Sequence, residues 1–488
     1  MLLTRRSFES TQVAILLALV VLTFASLLLP AKIAMILTAV IFFGYALIKP
    51  FDSLLYLVFY VVVRPILTEI NPGLKLIGDI ITVALLLRLV FEKRNSLSDL
   101  FKFKFFEWAF FIFLAFGALI GLKNGVSIGA AVFQIRTFII MYLIYYFISR
   151  TPLPKGWSYQ LAVVTVGIGW LLSLHGLVEK LSIRQWLLPE YWKYMPLSAE
   201  NMARIYGMPG NPNSLALIMI FTILAALLLK TLANSTKVNL LLNVSIVLFA
   251  GILILTFSRG TLISGGILLG VYILLSKQWH LIKKTILVTL ASIIFVYFPV
   301  LGGVQLIQYL GVEAPDGSVG SMKDRFEQML DQKNIDRMVS NGRVFYLKKG
   351  YEVFKDYPVT GSGFGTFGGA ATLSYGSPIY EDYGIDLSIY FENKIYSDNQ
   401  YIQVIAETGA IGVLLFASFM LGMLALFIKQ RHTHFGQFMI GLWLSTFASG
   451  MYYNIWELKV YTLIFFILLA LFATQNNWYH KNSSSFKR

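Results

Sequence analysis

The chain is a succession of long apolar runs, and that pattern leaves few folds open. Runs lie near residues 13–29, 33–48, 51–63, 76–91, 105–121, 132–148 and 161–178, then near 214–229, 239–256, 260–276 and 284–300. Three more lie near 409–428, 436–452 and 460–474. A helix crosses a bilayer with about 20 apolar residues. Inside hydrocarbon every backbone amide and carbonyl must be satisfied within the protein, which a helix achieves and an open strand does not. The expected fold is all-α: a polytopic membrane protein with 12–14 transmembrane helices, of which the short 51–63 run is the weakest candidate. Only 13% of the 488 residues are charged, about half the share in a soluble domain. The Thr4-Arg5-Arg6-Ser7-Phe8 stretch ahead of the first run matches a twin-arginine export signal. No small-residue cleavage site follows Leu29, so the run reads as an uncleaved first helix with Arg5 and Arg6 as cytoplasmic anchors.

The net charge of +15 is expected to set topology and meet anionic lipid, with no nucleic acid as partner. With the N-terminus inside, inner loops hold Lys93, Arg94, Lys102, Lys104, Arg150, Lys155, Lys230, Lys237, Lys277, Lys283, Lys284, Lys429 and Arg431. The short outer loops carry only scattered cations: Lys32, Arg64, Lys75, Lys123 and Lys459. This bias places both termini in the cytoplasm of a cytoplasmic-membrane protein. Four segments follow: N-terminal helices (1–178), helices with a short outer loop at 179–213 (179–301), a large extracytoplasmic loop (302–408), and C-terminal helices with a cytoplasmic tail (409–488). Cysteine is absent, which excludes thiolate nucleophiles, zinc–thiolate sites and disulfides.

The water-compatible stretch from Asn341 to Gly412 is where chemistry is expected. It opens on a helix whose Val344, Leu347, Tyr351 and Phe354 form one apolar face, rimmed by Arg343, Lys348, Lys349 and Lys355. The lysines suit lipid headgroups. Arg343 opens the helix, where free amides also favour anions. Gly361, Gly363 and Gly365 follow Asp356-Tyr357-Pro358 and mark a tight turn or a close approach. Arg259, in Thr256-Phe257-Ser258-Arg259-Gly260, either snorkels to the interface or grips a phosphate as a planar fork. Asp398, beside Asn399, either caps the next helix or takes a proton from a hydroxyl. Glu407, in the outer half of that helix, wants an arginine or a substrate hydroxyl. Glu381, Asp382, Asp386 and Glu392 have no metal-motif spacing, and no metal or other cofactor is expected. His175 reads as a packed histidine, and Asp79 and Arg136 as a structural pair.

Together the stretches TFSRG (256–260), GRVFYLKKGYEVFKDYPVTGSGFGTF (342–367), DNQYIQVIAETGAIG (398–412) and, more weakly, RIYGMPGNPNSLA (204–216) resemble the O-antigen ligase and polysaccharide polymerase superfamily. The resemblance covers about residues 200–430. It implies a membrane glycosyltransferase fold of the GT-C type, with an outer loop lidding a cavity. It also implies transfer of a glycan from an undecaprenyl diphosphate carrier to a glycan acceptor hydroxyl. Arg259 and Arg343 match the family's diphosphate arginines. Asp398 stands where the family has its proposed histidine base, a departure from the pattern. Arg204, Asn213, Ser258, Lys348, Gly361, Gly363, Asn399 and Glu407 are the expected substrate contacts. A flippase and a chain-length regulator are the expected protein partners. Polymerase and ligase are not separated by these motifs. A transporter would show repeats and polar mid-membrane residues, and neither is evident. Chain length and the mixed-charge loop are also similar to the membrane proteins of teichuronic acid synthesis.

Overall fold

The computed structural model describes residues 8–195, 197, 199–311, 342–385 and 396–479, and these form no strand. The chain runs through α1 (Ser10–Ala25), α2 (Ala31–Ile48), α3 (Pro50–Ile70), α4 (Ile77–Glu92), α5 (Phe105–Lys123), α6 (Ile128–Arg150) and α7 (Trp157–Leu181). The single-turn α8 (Glu190–Lys193) and α9 (Ala199–Met202) precede α10 (Pro212–Lys230), α11 (Thr236–Leu255), α12 (Arg259–Ser276), α13 (His280–Ser292) and α14 (Phe298–Tyr309). A long connection carries α15 (Arg343–Asp356) and α16 (Ala370–Tyr375), and α17 (Gln400–Lys429), α18 (His434–Ser449) and α19 (Lys459–Gln475) follow.

Among the described residues eleven helical runs are long and apolar enough to cross a membrane, and α19 is a shorter apolar helix. The chain is a multi-pass membrane protein. Two details differ from the sequence reading. The 51–63 run, weakest by length, lies in α3, a 21-residue helix with 67% of its apolar length buried, the largest share of any described span. Arg64 and Pro65 interrupt the apolar pattern without ending the helix, because packed neighbours tolerate the amide that proline removes. The 284–300 run belongs to one 30-residue helical stretch, His280–Tyr309, which passes through a π turn at Ile293–Tyr297. The large connection therefore begins after Tyr309 rather than at 302.

Helix α12 packs on α18, α5 on α17, α6 on α19, and α10 on α7 and α11. The connection is seated on this bundle at one end, with α15 against α17 and α16 against α6. That end is called the loop end below. Helix α17 breaks at Gly409 (φ 57°, ψ −161°), and the chain around Val359 fills the break: Ala410 N–H donates to the Pro358 carbonyl and Ile411 N–H to that of Val359.

Candidate active site

Three of the helices that start at the loop end carry, at or just ahead of the first turn, the two arginines and the carboxylate singled out by the sequence. The first is α12. Phe257, just ahead of it, is buried in the left-handed region at φ 50°, a conformation that costs about 1–2 kcal/mol for a residue with a Cβ. The turn puts Ser258 at the N-cap and Arg259, half-buried, at the first helical position. The Ser258 hydroxyl donates to Asn213 Oδ1 (2.9 Å) and also lies 2.9 Å from Thr261 Oγ1 and 3.2 Å from the Tyr453 hydroxyl. Arg204 donates to the Thr256 carbonyl (2.9 Å) and to Asn213 Oδ1 (2.7 Å). Arg204, Asn213 and Ser258 thus form one network that fixes the turn under Arg259.

The second start is α15, with Gly342 at the N-cap and Arg343 as the first residue. Its buried face is Tyr346, Gly350 and Val353. A Cβ on Gly350 would stand 2.4 Å from Ile402 Cγ1, so the glycine lets α15 lie directly on α17. The apolar row read from the sequence is on another side: Val344, Leu347 and Tyr351 are exposed, and so is Lys348.

The third start is α17. Asp398 is left-handed (φ 50°), a region that aspartate enters more readily than most residues. The cap is Asn399, not Asp398: the Asn399 Oδ1 accepts from the amides of Tyr401 and Ile402, each at 3.0 Å. Its amide nitrogen donates to the Met451 carbonyl (3.1 Å). Asn399 is thereby engaged by the backbone, while Asp398 is left for other work. An Arg343 guanidinium nitrogen stands 3.4 Å from Asp398 Oδ2, with the side chains 44% and 48% exposed. A pair this long and exposed contributes about 0–1 kcal/mol, so it orients both groups without locking them. Crowding by protein raises Asp398 above its ordinary carboxylate range, and Arg343 pulls it down. The positive charge of Arg343 also bears on Arg259, so the two guanidinium groups share one neighbourhood.

The glycine turn is the tight turn and close approach that its sequence marks, and Glu407 is bound into it. Glu407 is fully buried and accepts from the amides of Gly365 (2.7 Å), Thr366 (3.1 Å) and Phe367 (3.1 Å), and from Gln403 Nε2 (3.0 Å). Its partners are the turn's own amides rather than an arginine or a substrate. A Cβ on Gly363 (φ 99°) would stand 2.1 Å from Gly121 N, and one on Gly361 (φ 70°) 2.3 Å from Thr408 N. The turn is therefore wedged between α5 and α17 and bolts the connection to the bundle. Among the acidic residues, Glu381 and Asp382 are exposed; Asp386 and Glu392 lie outside the described residues. No three His, Asp or Glu side chains among the described residues converge on a possible metal position.

Sequence reasoning missed the short connection from Gly450 to Glu457, which holds the helix starts together. The Tyr453 hydroxyl reaches Ser258 and Thr261, both at 3.2 Å. The Gly450 carbonyl accepts from Gln400 N–H (2.8 Å). Asn454 accepts from the Ser397 hydroxyl (3.1 Å) and donates to the Gly368 carbonyl (2.9 Å). Buried Glu457 accepts from Gln134 (2.5 Å), Gln403 (2.7 Å), Ala370 N–H (2.8 Å) and the Tyr396 hydroxyl (3.0 Å). Burial raises the Glu457 carboxyl, and donors led by Gln403 draw it back. The signal available in the sequence was a carboxylate in a short connection between apolar runs, which wants buried partners.

Residues 244–417, from α11 to the middle of α17, match the family model described as O-antigen ligase. No curated protein matches the chain significantly.

Proposed function

We propose, for a membrane chain whose residues 244–417 carry an O-antigen ligase domain, that it polymerises a lipid-linked cell-surface polysaccharide. In this reading the loop end faces outward from the cytoplasmic membrane, both termini face the cytoplasm, and the donor is a glycan on undecaprenyl diphosphate. Glycan ligation or polymerisation is the work of the family; the donor, the outer face and the polymer are the proposal. The observation that carries it is the shared start of α12 and α15. Each opens on an arginine, neither has a side-chain cap, and neither carries an acidic residue in its first turn. Helix N-termini attract anions through their unpaired amides and dipole, and guanidinium forks match phosphate geometry. Two such starts, whose guanidinium groups feel one another's charge, suit a diphosphate.

The acceptor hydroxyl oxygen attacks the anomeric carbon as the bond from that carbon to the diphosphate oxygen breaks. The hydroxyl proton passes to Asp398, and the bond electrons leave on the diphosphate between Arg259 and Arg343. Attack opposite the leaving group inverts the anomeric centre. Engagement of Arg343 by the diphosphate relieves the pull on Asp398, so the base strengthens when the donor is in place. The chain's contribution is positioning and charge stabilisation, with no metal step assigned to it. A ligase that moves finished glycan to a different acceptor uses the same donor site, and the match of 244–417 to the O-antigen ligase family favours it.

The test is reconstitution in liposomes with undecaprenyl diphosphate-linked repeat units, in excess chelator. Products lengthened by whole repeats, still on the lipid diphosphate, support polymerisation. Transfer only to a second acceptor selects the ligase. No transfer from any lipid diphosphate glycan overturns the donor assignment.

A further inference from the structure

The cations of the loop end that looked scattered in sequence come together in the fold. Arg64 near the end of α3, Asp79 in the first turn of α4, Arg136 on α6 and Lys459 at the start of α19 lie on four helices packed in a ring, α3 on α4, α4 on α6, α6 on α19 and α19 on α3. Lys75 lies in the 3-10 turn, Pro72–Leu76, leading into α4. Arg136 pairs with Asp79, and the Tyr60 hydroxyl of α3 donates to the Leu74 carbonyl (2.6 Å), which holds the Lys75 turn against the helix that carries Arg64. The Lys459 ammonium feels the charges of Arg64, Arg136, Asp79 and Lys75. Four cations thus face one carboxylate. Lys459 is partly buried, and no hydrogen-bond acceptor meets its ammonium among the described residues. Like charges gathered in a partly desolvated place repel unless an anion joins them. The Arg136–Asp79 pair consumes one cation and the only carboxylate, leaving an excess of three positive charges.

We propose that this cluster is an oxyanion-binding site, distinct from the paired arginines at Arg259 and Arg343. Its ligand is a phosphate or carboxylate group, with Lys459 and Lys75 as adaptable donors and Arg64 as the planar one. Two sources offer such a group at a membrane face: the headgroup phosphate of an anionic lipid, and the acidic substituent of a water-soluble glycan. The site neighbours Glu457, two residues before Lys459, and so lies beside the network under Asp398 without belonging to it.

The full chain in nanodiscs of zwitterionic lipid tests this, with the thermal midpoint as readout. Inorganic phosphate, glucuronate and phosphatidylglycerol are the probes, against chloride at matched ionic strength. A ligand that binds only the folded protein raises the midpoint by mass action. The expected result is a saturable rise in the wild type and an apparent affinity weakened by about tenfold or more in the Lys75→Gln/Lys459→Gln double variant, the loss of charge-assisted bonds. A response to phosphatidylglycerol alone identifies the lipid headgroup as the source. A response to phosphate or glucuronate alone identifies the soluble group. Lys459→Arg keeps the charge and should respond like the wild type, which guards against a misfolded double variant. No saturable rise with any probe, or equal rises in wild type and double variant, overturns the proposal. The readout is binding, so its outcome is independent of whether the transfer reaction is assigned correctly.

Discussion

The helix starts at Arg259 and Arg343 differ from the start behind Asp398. The first two are left without a side-chain cap, and each places a guanidinium on its first residue. The third is closed: Asn399 satisfies two first-turn amides, and the charged residue stands ahead of the cap rather than inside the helix. An open start attracts an anion. A closed start has no such pull, and a carboxylate outside it can face a hydroxyl. The left-handed residues repeat the contrast. Phe257 is sealed in the core, where it turns the chain, whereas Asp398 is half in solvent and is the base in the proposed reaction. In the proposed reaction, gripping is separated from proton transfer by how each helix begins.

The largest expected effect breaks the open starts. Arg259→Lys and Arg343→Lys keep the charge and lose the fork, and each should lower transfer by about 10²–10³-fold, the scale of removing one preorganised donor to developing charge, with membrane insertion unchanged. Normal polymer from both variants would remove the diphosphate grip from the comparison.

Glycine substitution sharpens the comparison of the two left-handed turns. Phe257→Gly relieves the backbone but deletes a buried ring, and should destabilise by about 2–4 kcal/mol net. Asp398→Gly should leave stability within about 0.5 kcal/mol while abolishing transfer. Thermal or denaturant unfolding in detergent separates the outcomes; equal destabilisation would make Asp398 a structural residue.

A smaller effect concerns pH. As the proposed base Asp398 must be deprotonated to act, so the rate rises with pH through its pKa, which crowding by protein raises and Arg343 lowers. Arg343→Gln should move the acid limb of the residual rate to higher pH. A limb that stays put would separate Arg343 from Asp398.

The smallest concerns the brace. Tyr453→Phe loses the hydroxyl shared with Ser258 and Thr261, about 1 kcal/mol. Transfer should fall several-fold with donor affinity nearly unchanged; an unaltered rate would detach Tyr453 from the site.

Much of this was legible in the chain. The apolar runs give the membrane fold, and the α15 boundaries follow from Arg343 and from Asp356-Tyr357-Pro358. The gathering of Arg259, Arg343 and Asp398 was expected only through resemblance, since no spacing rule joins residues so far apart. Asp398 and Asn399 could not be told apart as cap, because either side chain fits and only the backbone angles decide. Glu407 looked like a substrate ligand because a buried carboxylate needs partners, and the amides of the glycine turn are invisible to composition. The same holds for Tyr453, Asn454 and Glu457. Their bonds to Ser258, Ser397 and Tyr396 cross 195, 57 and 61 residues, and no local periodicity records them.

The division between grip and proton transfer is tested most directly by single-turnover transfer with Asp398→Asn, measured with donor binding on the same preparation. Asparagine also accepts the left-handed region, and Asn399 still caps α17, so the fold should persist. Lipid diphosphate glycan should bind as it does to the wild type, while the transfer step slows by about 10²–10⁴-fold, the contribution of a general base. Asp398→His should recover part of the rate. A variant that binds donor and transfers at the wild-type rate would contradict the account and leave the proton without its assigned acceptor.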